Sequence, residues 1–251
     1  MFAENGHRLA LVARRERELT ALADEIAVAG HARPHVIAID LGLADAPGRL
    51  AEALRACDIE PEFVVNDAGF GLMGAAADLD RGEQLAMIDL NVRTLTDLSL
   101  RWIESLARHR GGILNVASVA GFLPGPSMAV YHATKAYVLS FSEALHRELK
   151  PQDVRVSVLC PGPVRTEFQA RAGIPGDYFP RYLSRSADRV AHEGYEGLML
   201  GRRVVVPGSH NKVLSILARM LPHSLALSLV ESRGRKQPSS RRPSPAIIAQ
   251  T

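Results

Sequence analysis

The chain has 251 residues, 47% of them hydrophobic and 23% charged, which is typical of a globular protein with a substantial buried core. Its formal net charge is only +3, and much of the excess lies in residues 233–245. The basic residues therefore do not indicate a folded surface that binds nucleic acid.

Cysteine content and hydropathy argue against a metal or redox protein and against a membrane-spanning protein. Cys57 and Cys160 match no metal or redox spacing, so we interpret both as small buried residues and expect no metal site. No run reaches the ~18 apolar residues of a membrane span, and the N-terminus does not look like a signal peptide. These features predict a cytoplasmic protein.

Short apolar runs alternate with amphipathic helical patterns along the chain. The predicted strands are 8–13, 35–40, 63–69, 112–118, 154–162 and 202–208. They are β-branched, apolar on both faces and bounded by Gly, Pro or Asp, as in parallel strands covered by helices on both sides. Apolar helix faces are formed by Leu19, Leu22, Ala23 and Ile26, by Leu95, Leu98, Trp102 and Leu106, and by Val138, Phe141, Leu145 and Leu149. This alternation predicts an α/β, Rossmann-like, doubly wound parallel sheet.

We divide the chain into one domain and two C-terminal segments. The domain covers residues 1–209, a helical extension covers 210–231, and a disordered basic tail rich in Ser, Pro and Arg covers 232–251. The extension has an apolar face formed by Val213, Leu214, Leu217 and Leu221. We favour closure of a substrate pocket or a subunit interface for it, with a weak contact to an anionic membrane surface as the alternative.

Polar residues follow five of the predicted strands. An open parallel sheet binds its ligand beyond the carboxyl ends of its strands, so side chains that follow different strands converge there. The residues in question are Arg14, Asp40, Asn66–Gly69, Ser118 and Pro161–Thr166. We therefore expect one site at this edge.

Tyr131 and Lys135 are one helical turn apart and so lie on the same helix face. A cation ~4 Å from a phenol, at an effective dielectric constant of ~20, would favour the phenolate by roughly 4 kcal/mol. That could lower the tyrosine pKa by up to ~3 units and suit it to general acid–base catalysis. Ser118 ends a strand shortly before this pair, where its hydroxyl could orient a reacting oxygen; the alternative is that it only caps the following turn.

The segments NVAS, YHATK and PGPVRT, in this order and spacing, resemble the short-chain dehydrogenase/reductase family over residues 3–208. In that family the serine, tyrosine and lysine are catalytic, which implies these roles for Ser118, Tyr131 and Lys135. The resemblance also implies that Asn91, in NVRTLTDL, holds a water in the proton relay to the lysine; the alternative is a capping or helix-kinking amide.

The resemblance also implies where a cofactor binds. NDAG resembles the family's NNAG, so Asn66, Ala68 and Gly69 would shape the floor of the adenosine-ribose site and steady the sheet centre, whereas Asp67 departs from the pattern. Asp40 would face the adenine, with Leu41 beside it. Contacts to the nicotinamide end are expected from the segment containing Pro161, Gly162, Val164 and Thr166.

Arg14 predicts the choice of cofactor. An acidic residue near the end of this strand would bind the ribose hydroxyls of NAD, but the run ends with Ala13, Arg14 and Arg15. A guanidinium forms charge-assisted, often bidentate bonds to phosphate, so we predict NADP(H). The alternative, that the arginines only begin a solvated helix, suits Arg15 better than Arg14.

The strand and glycine-rich turn that begin such proteins are missing, because MFAENGHRLALVA reads as a helix end followed by the family's second strand. The missing strand would lie at the sheet centre and leave an unpaired edge beside FVVN. We weigh two hypotheses: an intact oxidoreductase whose first segment is absent from this sequence, and a shortened, non-catalytic binding or regulatory protein. Retention of Ser118, Tyr131, Lys135 and Asn91 favours the first.

Residues 167–186 should form a lid over the substrate. Its aromatic residues, Phe168, Tyr178, Phe179 and Tyr182, suggest an apolar pocket, although simple packing within the lid is an equal alternative. We therefore expect a small, lipophilic carbonyl or alcohol substrate, with keto-acyl and broad ketone reduction both open. Similar chains form homodimers or homotetramers through helices around 91–109 and 131–149.

Overall fold

The computed structural model describes residues 1–176, 178–179 and 184–220. Six strands form, each within a predicted one: β1 (Ala10–Ala13), β2 (His35–Ala38), β3 (Phe63–Asn66), β4 (Gly112–Val116), β5 (Arg155–Leu159) and β6 (Val204–Val205). All except β1 end sooner than predicted, because the polar and glycine residues at their carboxyl ends leave the sheet and form loops. The loops carry the candidate site.

The helices alternate with the strands. They are α1 (Glu16–Val28), α2 (Ala46–Ala56), α3 (Arg81–Ile88), α4 (Leu95–Arg101), α5 (Ile103–Arg108), α6 (Ala129–Leu149), α7 (Phe168–Arg171), α8 (Ala187–Met199) and α9 (Ser209–Met220). Asp80 caps α3 by accepting a hydrogen bond from the Glu83 amide at 2.8 Å. A π-helical stretch, Asp89–Thr94, joins α3 to α4.

All strand pairs are parallel, which confirms the predicted α/β doubly wound sheet. Within the described residues, however, the strands form two separate sheets. β1 pairs with β2, and the other four follow in the order β3-β4-β5-β6. The break lies between β1 and β3, where the sequence predicts the position of a missing central strand.

A buried network of amide and hydroxyl groups ties β3 to β4 and to two helices. The Asn66 side-chain amide donates to Asn115 Oδ1 at 2.9 Å and to Ser99 Oγ at 3.0 Å, and the Asn115 amide donates to Ser142 Oγ at 3.0 Å. Ser99 lies on α4 and Ser142 on α6. Because unpaired buried polar groups are costly, this network fixes how the helices sit on the sheet.

Two predictions about buried residues need correction or qualification. Cys160 is buried as predicted, but Cys57 is exposed, because it directly follows the last residue of α2. On α9, Ser215 and Ala218 face the protein. The apolar residues expected on one face, Val213, Leu214 and Leu217, are more than half exposed, and Leu221 lies outside the described residues, as does the predicted tail. Among the helices described, none is long and apolar enough to cross a bilayer.

We predict that Asn115→Leu lowers the free energy of unfolding by about 2 kcal/mol, because it removes a partner from the buried groups of Asn66 and Ser142. Equilibrium denaturation would measure this. The double variant with Asn66→Leu should be less destabilised than the sum of the two single variants, because it no longer leaves the Asn66 amide short of a partner. Strictly additive effects would contradict the network.

Candidate active site

Ser118, Tyr131 and Lys135 come together at the carboxyl end of β4. Ser118 follows this strand, and Tyr131 and Lys135 lie in the first two turns of α6. Tyr131 is buried, with 8% of its surface exposed, and its hydroxyl lies near Ser118, whose Oγ also caps the following turn by accepting a hydrogen bond from the Ala120 amide at 3.1 Å. Lys135 Nζ lies 5.9 Å from the centre of the tyrosine ring. The three predicted side chains therefore form one cluster.

Lys135 keeps its ammonium group out of water. Its side chain is buried, and Nζ donates a hydrogen bond to the Val116 carbonyl at 2.8 Å. Burial lowers the pKa of Lys135 from 10.5 to about 8, although the negative charge of Asp67 acts in the opposite direction. The lysine is thus mainly charged at neutral pH and loses its proton on mild alkalinisation.

The predicted lowering of the Tyr131 pKa is wrong in direction. Burial raises the pKa of Tyr131 to about 12, and the Ser118 hydrogen bond offsets only part of this rise. The physical reason is that loss of hydration penalises the phenolate more than its neighbours stabilise it. The lysine is close to the ring, as predicted, but its proximity does not decide the sign of the shift.

Asn91 lies in the π-helical stretch and is fully buried. Its amide nitrogen donates to the Phe70 carbonyl at 2.9 Å and to Thr134 Oγ1 at 3.2 Å, and Oδ1 accepts from the Phe70 amide at 3.1 Å. A Cβ added at Gly69 would lie 2.8 Å from Asn91 Oδ1 and 3.6 Å from Lys135 Nζ. The side chain therefore holds the loop after β3 close to the lysine, and its role in a water relay remains a prediction.

The residues predicted at the adenosine end lie after β1 and β2. Arg14 Nη1 is 3.7 Å from Asp40 Oδ2, and both side chains are about half exposed. The other carboxylate oxygen of Asp40 accepts from the Gly42 amide at 2.9 Å. Leu41 is buried, and its carbonyl accepts from Thr94 at 2.9 Å, so only its amide remains available to a ligand. Arg15 instead pairs with Glu167 at 3.1 Å.

The NDAG segment divides into a structural and an accessible part. Asn66 is buried in the network described above, so it supports the sheet and offers no surface to a ligand. Asp67 and Ala68 are exposed. At Gly69 the side chains of Asn91 and Lys135 lie close to where a Cβ would be. Contact of the more accessible Ala68 and Gly69 with a cofactor remains a prediction.

The loop after β5 passes beside Ser118. The Pro161 carbonyl accepts from the Val119 amide at 3.0 Å, and the side chain of Asn211 leaves no room for a Cβ at Gly162. The side chain of Val164 packs against the core beneath β5, and Thr166 Oγ1 accepts from the Phe168 amide at 3.3 Å. All four predicted residues therefore lie on one loop at the site, with Val164 turned partly inward.

An apolar cluster surrounds the Tyr131 ring. Phe168 lies 5.4 Å from it between ring centres, and the other members include Met87, Met128, Ile174, Tyr178 and Phe179. Gly71 approaches so closely that an added Cβ would be 3.1 Å from the Tyr131 ring. Three of the four predicted lid aromatics thus join the cluster, and Tyr182 lies outside the described residues.

Sequence reasoning missed His132, which fixes the loop next to Ser118. Its Nδ1 is 2.7 Å from the Leu123 carbonyl, and its ring fills the space beside Gly125. Burial lowers the pKa of His132, which favours the neutral ring. Asn115 was missed as well. An asparagine in the otherwise apolar strand β4 could have indicated a buried hydrogen-bonding role for Asn115. Nothing in the sequence indicated the contact between His132 and Leu123.

The sequence profile of the family described as "short chain dehydrogenase" matches residues 1–174. The chain belongs to this family. Its members are oxidoreductases that use NAD(P)(H), and the cluster of Ser118, Tyr131 and Lys135 lies where the sequence motifs predict it.

Three similar proteins illustrate the family. "Sulfoacetaldehyde reductase 2" of Chromohalobacter salexigens is 34% identical over 66% of this chain and 67% of its own length. A short-chain dehydrogenase from Sphingobium yanoikuyae, solved with NADPH, is 28% identical with a TM-score of 0.76 over 97% of this chain and 91% of that one. A "bulky-bulky ketone specific alcohol dehydrogenase" from Comamonas testosteroni is 25% identical, with a TM-score of 0.71 over 98% and 89%.

We predict that Lys135→Met stabilises the fold by about 2 kcal/mol at pH 7. Lowering its pKa from 10.5 to about 8 costs the charged form about 3 kcal/mol, and loss of the bond to Val116 removes about 1 kcal/mol of the gain. The gain should be full below pH 8, shrink as the pH rises from 8 to 10.5, and reverse in sign above 10.5, where only the lost bond to Val116 still counts.

Denaturation at several pH values would measure this effect. The exposed Lys150 provides a matched control, because Lys150→Met removes a lysine without relieving a buried charge. A Lys135→Met variant that is less stable than the parent at pH 7 would contradict the burial penalty.

Proposed function

We propose that this chain is an NADP(H)-dependent oxidoreductase that interconverts a carbonyl and a hydroxyl group on a small, apolar substrate. The observation that carries the proposal is the cluster of Ser118, Tyr131 and the buried Lys135 ammonium at the carboxyl end of β4. These groups can bind an oxygen atom, give it a proton and tolerate the charge that develops.

Each residue of the cluster has a distinct task. A bound nicotinamide cofactor supplies or accepts the hydride at carbon. Ser118 donates a hydrogen bond that orients the substrate oxygen, and Tyr131, neutral at pH 7, protonates that oxygen as hydride reaches the carbon. The Lys135 charge then stabilises the phenolate left behind. A resting phenol with a pKa of about 12 favours binding of the carbonyl form.

The accessible residues fit a dinucleotide at both ends. Arg14 and Asp40 offer a guanidinium and a carboxylate at the adenosine end, and the exposed Asp67–Ala68 turn leads to Lys135 at the other. The guanidinium is half exposed, so a 2′-phosphate could displace Asp40 from it. This supports NADP(H) over NAD(H), and the NADPH-bound relative from Sphingobium yanoikuyae is consistent with it.

The apolar cluster around Tyr131 supports a lipophilic substrate. Aromatic and methionine side chains pack around the phenol ring, beside the Lys135 ammonium. The ketone-specific dehydrogenase from Comamonas testosteroni agrees with such a substrate, whereas the relative from Chromohalobacter salexigens is named for sulfoacetaldehyde, a charged one. We favour an apolar carbonyl compound. Homo-oligomerisation, a cytoplasmic location and the domain boundaries at 209 and 231 remain predictions.

The break in the sheet favours a second candidate, a non-catalytic binding protein. In such folds a pyrophosphate is held by backbone N–H groups of a glycine-rich turn at a helix N-terminus. Among the described residues, no such turn lies where the sheet is broken, between the edges of β1 and β3. Oxidation of NADPH with a panel of ketones and aldehydes distinguishes the two candidates, because only the oxidoreductase would consume NADPH. It should be measured on residues 1–251 and on a form extended by any in-frame codons before Met1.

Tyr131→Phe should reduce turnover by about 10²–10⁴-fold, because it removes the proton donor and leaves the apolar packing intact. Thermal unfolding should change little. Tyr137→Phe is the matched control, since Tyr137 lies on the same helix, is partly exposed and bonds Thr96 at 3.0 Å away from the cluster. Equal activity of both variants would exclude Tyr131 as the acid.

Arg14→Ala should weaken NADPH binding by about tenfold or more and leave NADH binding nearly unchanged, since a charge-assisted bond to the 2′-phosphate is lost. Cofactor fluorescence titration would measure both constants. Arg17→Ala, an exposed arginine in the first turn of α1, serves as the control. If discrimination between the two cofactors does not change, the assignment of NADP(H) to Arg14 is wrong.

A further inference from the structure

A cavity lies beyond the carboxyl ends of β5 and β6, and none of Ser118, Tyr131 and Lys135 lines it. Its volume is 740 Å³, which is ample for a small organic molecule. The lining comes from the loop after β5 and from the starts of α8 and α9, and it consists of Arg165, residues 184–189 and residues 208–211. Apart from Ala187 and Gly208, these residues all have polar side chains.

Positive charge exceeds negative charge in this lining. Three arginines contribute to it, Arg165, Arg185 and Arg189, and among the described lining residues only Asp188 is acidic. Arg185 pairs with Glu193 at 2.7 Å. Arg165 and Arg189 are exposed and form no ion pair within the part of the chain that the structure describes. The cavity therefore has two guanidinium groups available to an anionic ligand.

The first turns of α8 and α9 present backbone N–H groups to the same cavity. The first N–H groups of an α-helix have no partner within the helix. Ser186, which precedes α8, makes no capping bond with its side chain. The earliest amide bonds at the two helix starts are donated by Val190 and Lys212. The amides of residues 187–189 and 209–211 therefore have no partner among the residues described, and the positive ends of two helix dipoles meet at one cavity.

Two side chains beside the helix ends add further donors. Arg185 packs against the residue before α9, since a Cβ added at Gly208 would lie 2.6 Å from its Nε. Asn211 is only 5% exposed, and its amide nitrogen donates to the Pro207 carbonyl at 2.9 Å. Its second N–H has no partner among the described residues, although buried donors are normally paired. Hydrogen-bond donors thus approach the cavity from several directions.

We propose that this cavity binds the phosphate group of a small phosphate monoester, at a site separate from the candidate active site. Such a group has three terminal oxygens, arranged tetrahedrally about phosphorus, and a charge of about −1.5 to −2 at pH 7. A carboxylate has two oxygens in one plane and would leave most of these donors unpaired. Arginine side chains and helix N-termini bind phosphate in many proteins. The remaining volume accommodates the organic part of the ligand.

Amide NMR on the full chain tests this site. The probes are inorganic phosphate and glycerol 3-phosphate, and sodium acetate at the same ionic strength is the control. Both probes should shift the amides of residues 187–189 and 209–211 saturably, because these N–H groups acquire an acceptor. Acetate should shift them far less. The amides of Leu114 and Val156, which lie in paired strands of the sheet, should not move.

Two neighbouring substitutions should change the affinity in opposite directions. Arg189→Gln removes a guanidinium and should weaken binding of glycerol 3-phosphate by about tenfold or more. Asp188→Asn removes a carboxylate that repels the ligand and should strengthen binding by about threefold or more. Arg202→Gln is the matched control, because Arg202 is an exposed arginine outside the lining. All three residues are exposed, so the fold should tolerate each change.

Four outcomes would overturn the phosphate site. The amides of the two helix starts could fail to shift, or acetate could shift them as much as phosphate does. Arg189→Gln and Asp188→Asn could both bind glycerol 3-phosphate as the parent does. Displacement of the bound probe by NADPH would show that the cavity belongs to the cofactor site. Oxidoreductase activity is measured separately, so its absence would reject the proposed function and leave this site standing.

Discussion

The buried ammonium of Lys135 is the feature on which the site depends. An ammonium out of water is tolerated only when hydrogen-bonded, and here its partner is the Val116 carbonyl at the end of β4. The same strand end positions Ser118, and α6 carries Tyr131 and the lysine together. The packing of α6 on β4, reinforced by the bond from Asn115 to Ser142, thus sets the geometry of the three reactive side chains.

Two electrostatic effects compete at Tyr131. Charge proximity favours the phenolate, and burial disfavours it; with 8% of the residue exposed, burial dominates. A neighbouring cation also has less effect when its own pKa falls to about 8. The two groups therefore titrate in a clear order, since the lysine loses its proton well before the tyrosine does. A ligand that changes hydration in this cluster would change both pKa values.

Periodicity predicted the buried face of α4 and α5, but not that of α9, whose Val213, Leu214 and Leu217 are more than half exposed. Leu95, Leu98 and Leu106 are buried as the helical pattern predicts, and the unpaired edge of β3 follows from the missing strand alone. Loop contacts were not predictable in this way. Arg14 pairs with Asp40, and His132 contacts the Leu123 carbonyl, only because of the conformations of the loops involved. Loops have no hydrophobic periodicity from which such contacts could be predicted.

The two ends of the candidate site lie on separate sheets. The proton-transfer cluster lies on the continuous sheet from β3 to β6, whereas Arg14 and Asp40 follow the separate pair of β1 and β2. The connections between these parts include packing through α4, the bond from Thr94 to the Leu41 carbonyl, the stacking of His7 on Phe63, and the pair of Arg15 and Glu167. That pair is exposed, and exposed pairs contribute at most about 1 kcal/mol. A dinucleotide bound at both ends of the candidate site would therefore contact both sheets.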